Sequence, residues 1–285
     1  MLTLLLVSSL SAPRHPAAGC TDAGAENFEP SAAVDSGGCA YNCASLRARL
    51  SAPTAARCLI YDAASGTWPP KGPSLAGGSG LRRHIGTGEA WVIQGLPPRG
   101  WRRDQPQHEA RPSALPPLEP LDLQGSVPSR GGPAWVTLRY INFTSGVPGS
   151  SNQGGAINAH KSTVVVDHCL FLGNTVPADG GAIYASTSKF TISRSWFEGN
   201  TASYDNGGAV FAKSSTMRIE HTLFSRNSAK GGGGGAILNN NGQLNLTDCW
   251  FVSNEAQQDG GAINQHSSEW PTRRARIRDH ASAPT

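Results

Sequence analysis

"DGGAIYASTSKFTISRSWFEGN", residues 179–200, is the stretch that decides the fold. Gly180-Gly181-Ala182 opens it and Phe197-x-x-Asn200 closes it. Both halves recur. The glycine pair begins at Gly154, Gly180, Gly207, Gly234 and Gly260, at spacings of 26, 27, 27 and 26 residues. Phe-x-x-Asn recurs as Phe171/Asn174, Phe197/Asn200, Phe224/Asn227 and Phe251/Asn254. Phe143 begins a worn copy, with Gly146 in place of the asparagine. A repeat of this length signals a solenoid of stacked units.

Each Phe is preceded by an alternating segment. Val164, Phe190, Met217 and Leu244 stand seven residues before it, and Val166, Ile192, Ile219 and Leu246 stand five before it. Val165, Thr191, Arg218 and Asn245 lie between them. That is period two, hence strand. One coil holds three short strands and their turns, and coil-to-coil repetition makes the stacked strands parallel. The Phe column therefore points inward, ring over ring at about 4.8 Å per coil. Cys169, Ser195, Thr222 and Cys249, two before it, also point inward. Cys169 and Cys249 are three coils apart, too far to pair. The four asparagines predict a buried ladder at a turn. The glycine pairs predict a tight corner that needs positive φ or close backbone approach.

The pattern Gly-Gly-Ala-Ile … Phe-x-x-Asn resembles the repeat of chlamydial polymorphic outer-membrane proteins and, more broadly, the right-handed parallel β-helix of the pectin-lyase-like group. The resemblance covers 134–266 and implies an all-β fold: a right-handed parallel β-helix. That bacterial family also carries a C-terminal membrane β-barrel, which is not legible here, so autotransport is not carried over.

The flanks differ in character. Residues 1–18 form an apolar, signal-peptide-like leader without a basic start. Residues 19–60 hold Cys20, Cys39, Cys43 and Cys58, which predict two disulfides of open connectivity. The segment from Gly19-Cys20-Thr21-Asp22 to Cys39 resembles a short Cys-bracketed module of secreted proteins, which implies an extracellular setting and no defined activity. Its acids Asp22, Glu26, Glu29 and Asp35 could collect calcium, but Asx turns in a disulfide loop explain them better. Residues 61–80 form a linker, 81–270 the β-helix with a long loop at about 97–133, and 271–285 a disordered basic tail.

Charge excludes one class. Residues 133–270 carry eight Lys/Arg and nine Asp/Glu, so the repeats are near neutral and lack the basic stripe of a nucleic-acid binder. No stretch is long enough to be a transmembrane helix.

Chemistry is thin. Asp179 and Asp205, one position out of register on adjacent coils, are the closest pair of acids for glycosidic cleavage. His168, Arg194, His221 and Asp248 form an outward column three before Phe, with the histidines too far apart for one metal ion. One before Phe, Trp196 and Trp250 point outward; they either suit stacking on sugar rings or on a protein, or lie under a flanking loop from 97–130. Arg194 lies beside them. The only sequons, Asn142-Phe143-Thr144 and Asn245-Leu246-Thr247, fall on outward positions. The expected function is a secreted or cell-surface β-helix binding glycans or cell-surface partners without catalysis or cofactor. The rival is a polysaccharide lyase or glycoside hydrolase.

Overall fold

A computed structural model describes residues 18–20, 25–26, 30–32, 34–35, 40–60, 83–85, 89–95, 121–124, 134–146, 152–266 and 275–278. The coil containing the opening stretch shows how the chain is laid down. Ile183–Ser186 runs along one sheet, Lys189–Ser193 along the next, then Trp196–Glu198, then the two-residue strand Thr201–Ala202. The following coil repeats the course with every pair parallel: Lys189 aligns with Thr216, Phe197 with Phe224, Thr201 with Ser228 and Ile183 with Val210. Four walls result, of seven, six, four and seven strands. The chain is a right-handed parallel β-helix, as the repeat predicts.

The interior is a set of columns. Phe143, Phe171, Phe197, Phe224 and Phe251 stack with centroids 4.4–5.0 Å apart and planes within 14° of parallel. Each ring is enclosed, and each burial stabilises by roughly 1.5–3 kcal/mol. Beside them runs the asparagine ladder. The Asn174 backbone N–H and Nδ2 both donate to Asn200 Oδ1, at 3.1 and 2.9 Å. Asn200 repeats this with Asn227, and Asn227 with Asn254. Each Nδ2 also reaches a phenylalanine carbonyl one coil back, as Asn200 does to Phe171 at 3.0 Å. In the worn copy, Gly146 N–H donates to Asn174 Oδ1 at 2.9 Å and so starts the ladder. The Cys169–Ser195–Thr222–Cys249 column is a second ladder: Cys169 N–H donates to Ser195 Oγ at 3.1 Å. Ser162, Ser188 and Ser215 make a third at another corner.

Every coil turns through left-handed residues. Tyr140, His168, Arg194, His221 and Asp248 hold φ of 46–53° between the first and second walls. Lys161, Thr187, Ser214 and Asn241 hold φ of 46–55° at another corner. Such conformations cost about 1–2 kcal/mol each for residues with a Cβ. They aim the N–H at the next coil, as Arg194 N–H does to Glu220 O at 3.1 Å. The corner at the glycine pair demands glycine coil after coil. At Gly180, φ is +70° and a Cβ would meet the Ile183 carbonyl oxygen at 2.2 Å. At Gly181 a Cβ would meet the next coil's Gly208 oxygen at 2.0 Å. At Gly199 nothing lies within 4 Å, and Arg226 and Ser253 stand at the corresponding position of later coils.

The fold is nearly all β, as expected, with one short helix among the described residues, Cys43–Arg49, whose N-cap Asn42 accepts from Ser45 N–H at 2.8 Å. Three boundaries differ from the sequence reading. The Cys-rich segment is not set apart: its strand Arg57–Ile60 pairs with Ala90–Gln94 and starts the first wall. Cys43–Cys58 ties the helix to that strand, and Leu46 packs on Val92 and Ala56, with Trp135 against the same cluster. Cys20 is also disulfide-bonded. The expected loop contains the strand Leu121–Gln124, and the expected disordered tail contains Ala275–Arg278, aligned with Cys249–Val252. The tail keeps the register, Ile277 opposite Phe251, without the motif that would announce it. The apolar leader, Cys39 and the 61–80 linker lie outside the described residues.

These glycine environments predict an order of damage. Gly181→Ala forces backbone apart and should cost several times more stability than Gly199→Ala, which should cost about 1 kcal/mol. Equilibrium denaturation of both variants checks the order, and equal losses would contradict it.

Candidate functional site

The outward corner between the first and second walls concentrates the polar chemistry. It is built from two adjacent columns: Gln94, Arg139, Asp167, Ser193 and Glu220 at strand ends, and Tyr140, His168, Arg194, His221 and Asp248 in the left-handed turn. The centre is Asp167, 7% exposed. Its Oδ1 accepts from Ser193 Oγ at 2.8 Å and from Arg194 Nε and Nη2 at 3.0 and 2.7 Å. Its Oδ2 lies 3.2 Å from Arg139 Nε and 3.0 Å from His168 Nδ1. Arg139 is itself buried; it donates to Gln94 Oε1 at 3.1 Å and lies over the Tyr140 ring. Tyr140 in turn stacks on His168 at 4.8 Å. Burial alone would raise the Asp167 pKa. His168, Arg139 and Arg194 outweigh it and hold the carboxyl well below the usual range. Asp167 is thus a clamp across three coils, held toward its charged form by its neighbours.

The outward column with His168 and Arg194 is where the sequence placed it. The sequence reading does not single out Asp167 and Arg139, although an Arg139–Asp167–Ser193–Glu220 column stands four residues before Phe. Among the described residues, no group of three or more His, Cys, Asp or Glu side chains could hold a metal ion. Of the four acids considered for calcium, Glu26 accepts from Asn42 Nδ2 and from Ser45 Oγ, beside the helix N-cap. Asp22 and Glu29 lie outside the described residues.

Asp179 and Asp205 do approach each other, through Asn206. Asp179 Oδ1 accepts from the Asn206 backbone and Nδ2, both at 3.2 Å, while the same Nδ2 stands 3.5 Å from Asp205 Oδ1. Asp179 is pushed above the ordinary carboxyl value, first by burial and then by the Asp205 charge, against bonds from Asn206 and Gln153. Gln153 also bonds Tyr184, whose ring stacks outward on Phe211 at 5.5 Å. The turn before each glycine pair therefore folds over an outer apolar column of Tyr184, Phe211 and Leu238.

Trp196 and Trp250 do point away from the core but are half-buried. Trp196 packs on Tyr140, Leu170 and Leu172, and its Nε1 is enclosed without a hydrogen bond. The one large hydrophobic side chain strongly exposed among the described residues is Tyr204, next to Asp205. Sequence reasoning missed it because its column carries no pattern. Of the sequons, Asn142 has its amide oxygen enclosed and unbonded, and Asn245 is half-buried on the first wall's outer face. Cys169 and Cys249 are free and buried, their thiols pushed up to about 12 and about 11 by burial, so they stay protonated and inert.

Residues 130–273 match the right handed beta helix region family, and the chain belongs to it. No curated protein and no solved structure matches the chain. Among the described residues, no helix is long and apolar enough to cross a membrane.

Two charge variants follow. Asp167→Asn removes the anion that buried Arg139 faces and should cost about 3 kcal/mol or more in equilibrium denaturation; a loss under 1 kcal/mol would show the clamp to be idle. Asp179→Asn should act oppositely. The folded protein holds this proton more tightly than the unfolded chain, so the penalty is absent below the ordinary value of 3.8. It grows as pH rises through the raised folded value. The variant should match the parent in acid and exceed its stability at neutral pH. Stability measured across pH checks this, and a variant weaker than the parent at neutral pH would refute it.

Proposed function

We propose that this protein is a secreted or cell-surface β-helix whose outer surface binds without catalysis, with glycans or cell-surface proteins as its partners. The observation that carries the reading is the commitment of its acids. Asp167 is saturated by donors from three coils, and Asp179 is engaged by the backbone and side chain of Asn206. Carboxylates spent on holding coils together are poorly placed to meet a substrate. The bonded Cys43 and Cys58 support an oxidising, extracellular compartment. The near-neutral repeats speak against nucleic acid as a partner. The candidate face is the second wall with its rim: Arg194, 45% exposed at the side chain, and the partly covered Trp196 and Trp250.

One observation favours the rival reading. A carboxyl raised by burial beside a second carboxylate is the arrangement that general-acid chemistry uses. A lyase or hydrolase of carbohydrate polymers would act through Asp179 and Asp205.

A single set of measurements separates them. The whole chain is tested for binding on a glycan array and on intact cells, and for cleavage of uronate polymers. Binding should fall about tenfold or more in the Trp196→Ala/Trp250→Ala double variant, the scale of losing an aromatic anchor, with the parent's melting behaviour retained. Unchanged binding removes the tryptophan face. Cleavage by the parent that Asp179→Asn abolishes would establish the enzyme instead.

A further inference from the structure

The sequence contains two Asn-Gly dipeptides, Asn206-Gly207 and Asn241-Gly242. Both fall at corners of the coil, and their surroundings differ in exposure and in the hydrogen bonds of the asparagine amide and the glycine N–H. That chemistry is intramolecular. The backbone nitrogen of the following residue attacks the side-chain carbonyl carbon and loses its proton, and the amide nitrogen leaves as ammonia. A five-membered succinimide remains, which water opens to aspartate or, through the other carbonyl, to isoaspartate. No electrons are transferred and water is the only co-reactant. The reaction needs a free nucleophile, a free side-chain amide, access for water and room to bend. Glycine supplies the room, since it has no Cβ to block the approach.

Asn206 is held at both its side-chain amide and its nucleophile. Its Nδ2 donates to Asp179, and its Oδ1 accepts from Gly233 N–H at 3.1 Å. The would-be nucleophile, Gly207 N–H, donates to Gly233 O at 3.0 Å. Asn241 is the reverse case. It is exposed, in a left-handed turn at φ 55°, and its side chain makes no hydrogen bond among the described residues. In earlier coils the residue after this turn is serine, and its N–H is held by the serine hydroxyl of the next coil: Ser162 by Ser188 at 3.1 Å, Ser188 by Ser215 at 3.0 Å. Gly242 has no hydroxyl to offer the ladder, and its own N–H has no hydrogen-bond partner among the described residues; Ser268, at the same position of the next coil, lies outside them. Exposure, an uncommitted amide and an uncommitted nucleophile therefore coincide at one dipeptide.

We infer that Asn241 is a site of spontaneous deamidation and isoaspartate formation in the folded protein, and that Asn206 is protected. The modification has a structural consequence. Isoaspartate adds a methylene to the backbone and a negative charge to the corner. That corner is tied by Asn241 N–H to His266 O at 3.0 Å, by Asn239 Nδ2 to Gly242 O at 2.8 Å, and by Gln243 N–H to Ser215 O at 2.9 Å. A lengthened backbone cannot keep all three. The coil that begins at Gln243 loosens, while coils on the other side of Ser215 keep their ladders.

The test uses the whole chain, aged in warm, mildly alkaline buffer, then digested and mapped by mass spectrometry. Isoaspartate is detected by enzymatic methylation of the peptides. The amide-to-acid mass shift should accumulate on the peptide containing Asn241, at least several-fold faster than on the one containing Asn206. In denaturant the two should react at similar rates. The Asn241→Ser variant, whose hydroxyl repeats the Ser214 of the preceding coil, should remain unmodified in the folded state. Equal rates at both sites in the folded protein, or modification at Asn206 alone, would overturn the assignment. So would a folded protein whose Asn241 stays intact while the denatured chain reacts.

Discussion

The structure depends on one constraint: each coil must set the same chemical group directly over its counterpart, about 4.8 Å away. The asparagine ladder imposes it most strictly. A side-chain oxygen that accepts two bonds from the coil behind, while its own Nδ2 reaches a phenylalanine carbonyl one coil back and the next oxygen ahead, tolerates no slip. A shift by one residue would turn the Phe column outward and bury charge. Once that register is fixed, the remaining columns follow. The aromatic stack, the hydroxyl ladders and the left-handed corners all inherit their alignment from it.

The same constraint brings together residues that sequence keeps apart. Arg139, Asp167 and Arg194 are separated by more than a full repeat from one end to the other, and only stacking makes them neighbours. The clamp they form holds the outside of a corner whose inside is held by Cys169 and Ser195. Surface polarity here is largely structural. Acids and bases that would suggest a site in isolation are spent on coil-to-coil bonds.

What could be read from sequence is whatever repeats. The Phe and Asn columns, their inward direction and the parallel stacking rest on two-residue alternation and a steady period, and each is found in place. The left-handed turns at Arg194 or Lys161 were invisible, because nothing in those residue types announces positive φ; their backbone is bent by hydrogen bonds to the next coil rather than by propensity. Arg57–Ile60 and Ala275–Arg278 were missed because they join the walls without carrying the motif. The outward tryptophans were placed on the correct side, but alternation gives direction and not exposure. What covers Trp196 includes Leu170 and Tyr140, which belong to other rungs.

The spacing of the two motifs has a mechanical meaning. From glycine pair to phenylalanine the distance never changes: Gly154 to Phe171, Gly180 to Phe197, Gly207 to Phe224 and Gly234 to Phe251 are each 17 residues. From asparagine to the next glycine pair it varies: Asn174 to Gly180 and Asn254 to Gly260 span six residues, Asn200 to Gly207 and Asn227 to Gly234 seven. All the slack in the coil is therefore gathered into one joint, and Tyr204 and Asp205 sit on it. Three sides of the solenoid behave as rigid staves. The fourth is the hinge line where residues can be inserted or lost without disturbing the barrel they enclose, and there this architecture is free to vary while the rest stands still.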